Sequence, residues 1–321
     1  MTAISRRDFG RLALAGVPAA ALVLRNVPLA ARDKIASRIG GVQIGAITYS
    51  FRTLTVEEVL KAYTTIGIGE MELMSSHAEA LAGAPSGRGG GGGRRGEPLT
   101  PEQQAARDAA VKALADFRKN ATEGTFAPVR KRIADMGIEL KLLCYNMNVN
   151  RTTDDEIEYA FMMAKWLGVD AISTSTQVSM AKRLAPFADK HKMMVGFHGH
   201  ANTQDPDEVA TPATFDAVMA ASKYHGANLD IGHYTEAGYD PVAFIEKNHA
   251  RITNLHLKDK KKAEHGGQNG PWGTGDTPIK DCLKLLQKNK WDIPSNIEFE
   301  YEGEPVAEVT KCLQLCREYL A

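Results

Sequence analysis

The chain has 321 residues, of which 43% are hydrophobic, and it carries 39 basic and 39 acidic residues. A chain of this length can bury a large core and suits one large α/β domain or two smaller ones. Because the net charge is zero, the sequence does not indicate a general polyanion-binding surface, and we expect no nucleic-acid partner.

The first thirty residues have the features of a twin-arginine export signal. The motif SRRDF at 5–9 precedes an apolar stretch, and small residues around Ala30 and Ala31 suit a signal peptidase. The apolar stretch is shorter than the about 20 residues of an ordinary membrane span. We therefore expect residues 1–31 to be a signal peptide recognised by the twin-arginine export machinery. The protein would then be periplasmic, or membrane-associated if the signal stays attached.

Strand-like and helix-like segments alternate through the rest of the chain. Eight short apolar runs predict strands, and the amphipathic runs between them predict helices. This alternation favours a (β/α)8 TIM barrel over residues 32–321, and a doubly wound open sheet is the alternative. The predicted strands cover 42–50, 69–75, 138–146, 170–176, 192–200, 227–233, 252–259 and 295–302, and the predicted helices cover 56–67, 127–137, 154–168, 180–191, 211–226, 240–250 and 278–290.

One segment interrupts the alternation after the second predicted strand. Residues 83–98 are rich in glycine and arginine, which predicts a flexible loop insertion, and residues 100–121 predict an extra helix. Two interpretations are open for the loop. It could be a mobile lid whose arginines meet the substrate, or a tolerated insertion, and we favour the second because long loops cost little free energy.

The last four predicted strands end in side chains of the types that bind metal ions. In a barrel the carboxyl ends of the strands meet at one face, so residues from successive strands become neighbours. Two imidazoles and two carboxylates would suit one divalent cation. The predicted ligands are His198, Asp230, His256 and Glu298, with Glu300 as the alternative ligand in the last strand.

Further polar residues near the strand ends are expected to take part in chemistry or to contact a substrate. Lys258 could stabilise an enolate oxygen, although it could instead pair with Asp259. The predicted catalytic residues are His198, His200, Glu298 and Lys258. The predicted substrate contacts are His233, Glu72, His77, Asn146 and Asn148, and solvated loop polarity is the alternative interpretation for the last four.

Several motifs together resemble the sugar phosphate isomerase/epimerase superfamily, whose fold is a xylose isomerase-like TIM barrel. They are GAITYSFR at 45–52, MELMSSH at 71–77, DIGH at 230–233, HLKD at 256–259 followed by GPWGTGDTPI at 270–279, and IEFE at 297–300. The resemblance implies that Asp230, His256 and Glu298 bind a divalent metal ion and that His233 touches substrate. We expect manganese, with zinc, cobalt or magnesium as alternatives.

The chain departs from that family at the fifth strand. Sugar epimerases of the family carry a metal-binding glutamate there that also moves a proton, whereas this chain has His198. The resemblance implies an isomerase or epimerase that removes a proton next to a carbonyl of a carbohydrate through an enediolate, with a histidine as base. The alternatives are cleavage of 3-keto-glycosides by elimination, phosphodiester hydrolysis, and a noncatalytic periplasmic sugar-binding protein. A homo-oligomer is left open.

Overall fold

The computed structural model describes residues 33–86 and 99–321. The predicted signal at 1–31 and most of the loop at 83–98 therefore lie outside the described residues and stay predictions. Within the described residues, strands and helices alternate from residue 38 to residue 320. None of the described helices has the length and apolar character needed to cross a bilayer.

Eight parallel strands close into a barrel, which confirms the predicted fold. A short strand, β1, pairs antiparallel with β2, and β2 pairs in parallel with both β3 and β9, so the sheet has no open edge. The strands are β1 (Arg38–Ile39), β2 (Val42–Ile47), β3 (Glu70–Met74), β4 (Glu139–Cys144), β5 (Ala171–Thr174), β6 (Met194–His198), β7 (His225–Asp230), β8 (Ile252–Leu257) and β9 (Ser295–Ile297).

Helices follow the barrel strands and cover the outside of the barrel, as the (β/α)8 pattern requires. They are α1 (Val56–Ile66), α2 (Ser75–Leu81), α3 (Pro101–Asn120), α4 (Glu123–Asp135), α5 (Asp154–Leu167), α6 (Met180–His191), α7 (Pro212–Ala220), α8 (Ile231–Glu236), α9 (Pro241–Asn248), α10 (Ile279–Asn289) and α11 (Pro305–Leu320).

Local sequence signals define where these helices start and stop. Thr55 caps α1 and Thr153 caps α5, each through a reciprocal pair of hydrogen bonds with a glutamate three residues later. Both helices end at a glycine with positive φ, Gly67 and Gly168, a conformation that costs other residues more. These caps fix the helix lengths and so the direction in which the chain enters the next strand.

Three predicted boundaries are wrong near β7. The predicted helix over 211–226 ends at Ala220, and the strand predicted at 227–233 starts at His225 and ends at Asp230. Residues after Asp230 form α8 instead, because its side chain accepts a hydrogen bond from the backbone of His233 and caps a helix. His233 therefore lies in the first turn of a helix, not at the end of a strand.

The barrel interior carries polar side chains around a buried glutamate. Glu72 of β3 accepts hydrogen bonds from Asn254 of β8 at 3.1 Å, from Asn296 of β9 at 2.7 Å and from Ser173 of β5. Because β3 is not adjacent to β5, β8 or β9 in the sheet, these bonds cross the inside of the barrel. The network joins four strands directly beneath the face where the strands end.

Candidate metal centre

Four side chains with metal-binding chemistry meet at the carboxyl ends of the last four strands. His198 ends β6, Asp230 ends β7, His256 lies in β8, and Glu298 follows β9. All four are buried, and one ligand atom from each lies within 4.8 Å of the others. The structure thus brings together the four residues that the sequence predicts as ligands, and we call them the His/Asp/His/Glu cluster.

Asp230 is positioned by the start of α8. Its Oδ1 accepts a hydrogen bond from the His233 backbone N–H at 2.8 Å. Its Oδ2 makes no hydrogen bond of good geometry within the described residues, although Lys258 Nζ lies 3.0 Å away. One oxygen therefore orients the carboxylate, and the other is available to bind an ion.

His256 is oriented by the glutamate in the barrel interior. Its Nε2–H donates to Glu72 Oε2 at 2.9 Å, while Nδ1 lies 3.2 Å from Glu298 Oε2. Burial lowers the pKa of His256, but the carboxylates of Glu72 and Glu298 raise it more, so the pKa lies well above its usual value. A carboxylate that fixes the second nitrogen of a histidine is the common arrangement around protein-bound metals.

Lys258 lies among three carboxylates. Its Nζ is 3.0 Å from Asp230 Oδ2, 2.9 Å from Glu298 Oε2 and 2.6 Å from Glu300 Oε2. Burial lowers the pKa of Lys258, but the three carboxylates raise it well above its usual value. Burial raises the pKa of Glu298, but Lys258 and His256 lower it more, to well below its usual value. Glu300 pairs with Lys258 outside the cluster, so the geometry favours Glu298 as the ligand.

The donor set fits one divalent transition metal ion. His198 Nδ1, His256 Nδ1, Asp230 Oδ2 and Glu298 Oε2 are buried and make no hydrogen bond of good geometry within the described residues. Lys258 Nζ lies within 3.0 Å of both oxygens, and His256 Nδ1 lies 3.2 Å from Glu298 Oε2, so an ion would replace these ionic contacts. Bonds of about 2.0–2.2 Å place two ligands of one ion at most about 4.4 Å apart. A contraction of a few tenths of an ångström would therefore seat an ion. Imidazole and carboxylate without thiolate suit manganese, zinc or cobalt.

His198 has the electrostatic properties of a ligand more than those of a base. Burial lowers its pKa, and the neighbouring imidazoles of His256 and His200 lower it further, to well below the usual value. The ring is therefore neutral at ordinary pH, which is the form that binds metal ions.

A cavity of about 360 Å³ opens over the cluster, and two further histidines line it. His200 forms a hydrogen bond through Nδ1 with Glu208, and its Nε2 lies 3.1 Å from Ser175 Oγ. His233 Nδ1 lies 3.4 Å from Glu236 Oε2. A carboxylate on one nitrogen orients an imidazole for proton exchange through the other nitrogen.

The four remaining predicted substrate contacts lie in four different places. Glu72 is completely buried in the barrel interior, so its prediction as a substrate contact is wrong. Asn146 lines the cavity over the cluster, and its Oδ1 accepts from the Ser175 backbone N–H at 2.9 Å. Asn148 lines an adjoining cavity of about 450 Å³. His77 lies in α2 and lines a third cavity, of about 530 Å³, and burial lowers its pKa.

Several site residues were not predicted from the sequence. Glu236 follows His233 by three residues in α8, a helical spacing that brings the side chains together and could have revealed the pair. Glu208 and Ser175 contact His200 from two separate loops, and no local pattern in the sequence connects them. The orienting role of Glu72 likewise depends on contacts across the barrel.

Comparison with known proteins identifies a family. The sequence profile of the xylose isomerase-like TIM barrel family matches residues 103–319 of the chain. No curated protein sequence matches the chain.

Solved structures share the fold at low sequence identity. The probable 3-DHS dehydratase AsbF from Bacillus anthracis is 14% identical over 85% of this chain and 97% of its own, with a TM-score of 0.59. A sugar phosphate isomerase/epimerase from Parabacteroides distasonis is 15% identical over 91% and 99%, with a TM-score of 0.56. The IOLI protein, whose structure contains a zinc atom, is 11% identical over 86% and 95%, with a TM-score of 0.57.

Proposed function

Because the chain belongs to the xylose isomerase-like TIM barrel family, we propose that it is a divalent-metal-dependent isomerase or epimerase of a carbohydrate. The observation that carries the proposal is the buried His/Asp/His/Glu cluster beneath a cavity lined by carboxylate-paired histidines. The reaction would remove a proton next to a sugar carbonyl and return it to the opposite face, giving an epimer, or to the neighbouring carbon, giving an isomer.

The side chains divide into those that hold the ion and those that act on the substrate. His198, Asp230, His256 and Glu298 would hold one ion, which when bound supplies a Lewis acid that polarises the sugar carbonyl. Lys258 keeps its charge and lies at the wall of the cavity, so its ammonium can stabilise negative charge that develops on a substrate oxygen. We assign His198 and Glu298 to the ligand set in preference to direct proton transfer.

We assign proton removal to His200, which can also return the proton to the neighbouring carbon on the same face and so give an isomer; return to the opposite face, which gives an epimer, requires a second donor. His200 Nδ1 is paired with Glu208, and its Nε2 lies at the cavity wall next to Ser175 Oγ. The Glu208 carboxylate stabilises the imidazolium that forms when Nε2 accepts a proton. His233, which is paired with Glu236 and lies 3.3 Å from Lys258 Nζ, is placed to bind a substrate hydroxyl.

Elimination from a 3-keto-glycoside is the second candidate reaction. The observation that favours it is His198 at the strand position where sugar epimerases of the family have a second glutamate. Elimination needs one base, which takes the proton from the carbon next to the ketone. The bond from the anomeric carbon to the leaving oxygen then breaks, and its electron pair leaves with that oxygen, which is protonated by the same imidazolium. His200 can serve in both steps.

Manganese is our first choice of metal ion, with zinc, cobalt and magnesium as alternatives, because the donors are nitrogen and oxygen atoms.

Export through the twin-arginine machinery also stays part of the proposal. The periplasm would offer free sugars or glycosides as substrates. N-terminal sequencing of the protein recovered from the periplasmic fraction would test whether the chain is exported. Cleavage near Ala31 is the expected result.

Metal content and hydrogen exchange together test the proposed function. The purified full chain should contain about one transition metal ion per chain, measured by elemental analysis. In deuterium oxide, NMR should show deuterium entering a carbon-bound position of a sugar, or release of an aglycone from a 3-keto-glycoside. The absence of both metal and exchange would reject an enzymatic role and favour a sugar-binding protein.

A matched pair of histidine variants makes this experiment specific. His256→Ala should lose the metal and the exchange, whereas His265→Ala should keep both, since His265 is exposed and far outside the cluster. Metal that stays bound in His256→Ala would show that the cluster does not hold it. Exchange that survives in His256→Ala would contradict a metal-dependent reaction.

A further inference from the structure

A second polar cavity adjoins the one over the metal cluster. Its volume is about 450 Å³, and loops after β4, β5 and β6 form its walls. The two cavities share Asn146, Ser175 and His200 as wall residues, so they lie side by side with His200 at their junction. We call the cavity over the cluster the inner cavity and the adjoining one the outer cavity. The proposed base therefore borders both.

The wall of the outer cavity is prepared to donate hydrogen bonds. The side-chain carbonyls of Asn148 and Gln177 already accept from backbone N–H groups, of Asn150 at 3.1 Å and of Val149 at 3.0 Å. These bonds fix each amide and leave its NH₂ group without a hydrogen bond to any described residue. Arg151 is an exposed residue of the same wall, and its guanidinium makes no hydrogen bond or ion pair with the described residues.

The same wall also offers hydrogen-bond acceptors and little apolar surface. The hydroxyls of Thr152 and Thr176 line it together with the carboxylates of Glu156, which also bonds to Thr153, and of Glu208, which also bonds to His200. Of the described residues, no phenylalanine, tyrosine or tryptophan lines this cavity. Mixed donors and acceptors with charges of both signs match a neutral group rich in hydroxyls better than an aromatic ring or a strongly anionic group.

We propose that the outer cavity binds a second sugar residue, so that the substrate is a disaccharide or other sugar-linked glycoside. This inference rests on the proposed function. The reacting sugar would lie in the inner cavity over the metal ligands, and the second sugar would contact Arg151 and Gln177. The oxygen that links the two sugars then lies at the junction, within reach of His200.

Binding measurements test this subsite without requiring turnover. The full chain, loaded with Mn²⁺, would be titrated calorimetrically with trehalose, maltose, cellobiose and lactose, with their 3-keto derivatives, and with the matching monosaccharides and 3-keto-monosaccharides. At least one disaccharide should bind about tenfold more tightly than its monosaccharide, as one or two additional hydrogen bonds to charged or amide donors would give.

Two variants locate the second sugar. In Arg151→Ala the ratio of disaccharide to monosaccharide affinity should fall about tenfold, because the guanidinium is lost without breaking an internal bond. Gln177→Ala should lower the ratio as well. The control is Arg130→Ala, since Arg130 is an exposed arginine of α4 outside both cavities, and its ratio should match the wild type.

The outcomes separate this inference from the proposed function. Monosaccharide binding and deuterium exchange without any gain for disaccharides would overturn the second-sugar site alone. A gain that neither Arg151→Ala nor Gln177→Ala reduces would also overturn it, because the second sugar would then lie elsewhere. Failure of every sugar to bind or exchange would reject the proposed function and this inference with it.

Discussion

Replacing Glu70 by glutamine should change the pH dependence of folding. Glu70 starts β3, is completely buried, and neither of its carboxyl oxygens makes a hydrogen bond of good geometry with a described residue, although the Gln43 side chain is close enough to interact with it. Burial raises the pKa of Glu70 from its ordinary value of 4.5 to about 8, even though Gln43 and Lys141 oppose this. The carboxyl is therefore protonated in the folded protein at a pH at which the unfolded chain is ionised.

The sign and size of the effect follow from this difference. Below pH 4.5 the carboxyl is protonated in both states and does not affect stability. As the pH rises toward 8, the unfolded state gains stability by ionising while the folded state does not. Each pH unit weakens folding by about 1.4 kcal/mol, which amounts to roughly 5 kcal/mol over the whole range. Glu70→Gln removes this titration while keeping the size and shape of the side chain.

Urea unfolding followed by circular dichroism measures the prediction. The free energy of unfolding of Glu70→Gln minus that of the wild type should rise by about 1.4 kcal/mol per pH unit between about pH 5 and about pH 8. The control is Glu139→Gln, at the position of β4 that pairs with Glu70, where the side chain is partly exposed. The free energy of unfolding of Glu139→Gln should stay within about 1 kcal/mol of the wild-type value at every pH. If the unfolding free energies of Glu70→Gln and the wild type differ by the same amount at every pH, the reasoning is refuted.

Three further predictions concern the site and the barrel interior. Glu72→Gln should weaken metal binding about 10- to 100-fold while the chain stays folded, because a ligand histidine loses its orienting carboxylate; equilibrium dialysis of the metal checks this, and unchanged affinity would contradict that role. Glu208→Gln should lower kcat at least tenfold with metal content unchanged, and a loss of metal instead would place Glu208 among the groups that hold the ion. Gly45→Ala should cost about 1–3 kcal/mol of unfolding free energy in a urea titration, since a Cβ there would collide with Asn296 Oδ1; wild-type stability would show that the barrel interior is looser than described.

Residue patterns along single strands predicted much of the fold and the four residues that the structure brings together in the His/Asp/His/Glu cluster. His198, Asp230, His256 and Glu298 each lie at the end of an apolar run, and parallel strands that end at one face bring such residues together. The barrel itself follows from the alternation of strands and helices. These features depend on local sequence and on the geometry of the strand–helix unit that repeats around the barrel.

Features that depend on contacts across the barrel could not be predicted in this way. Glu72 was expected at the substrate surface, but its partners Ser173, Asn254 and Asn296 lie 101 to 224 residues away along the chain, and they hold it inside. The end of β7 was misplaced for a different reason. The Asp230 side chain caps a helix, and this local hydrogen bond overrode the strand pattern that continues to His233.

The pairing of β2 with β9 has a consequence for the order in which the protein is made. The first barrel strand stays without one neighbour until the chain has been synthesised beyond residue 297, about 250 positions later. Glu298 is added at the same moment, directly after that last strand. A nascent chain that has not yet reached residue 298, or a product truncated before it, therefore has at most three of the four cluster residues, and the cluster is complete only when the barrel can close.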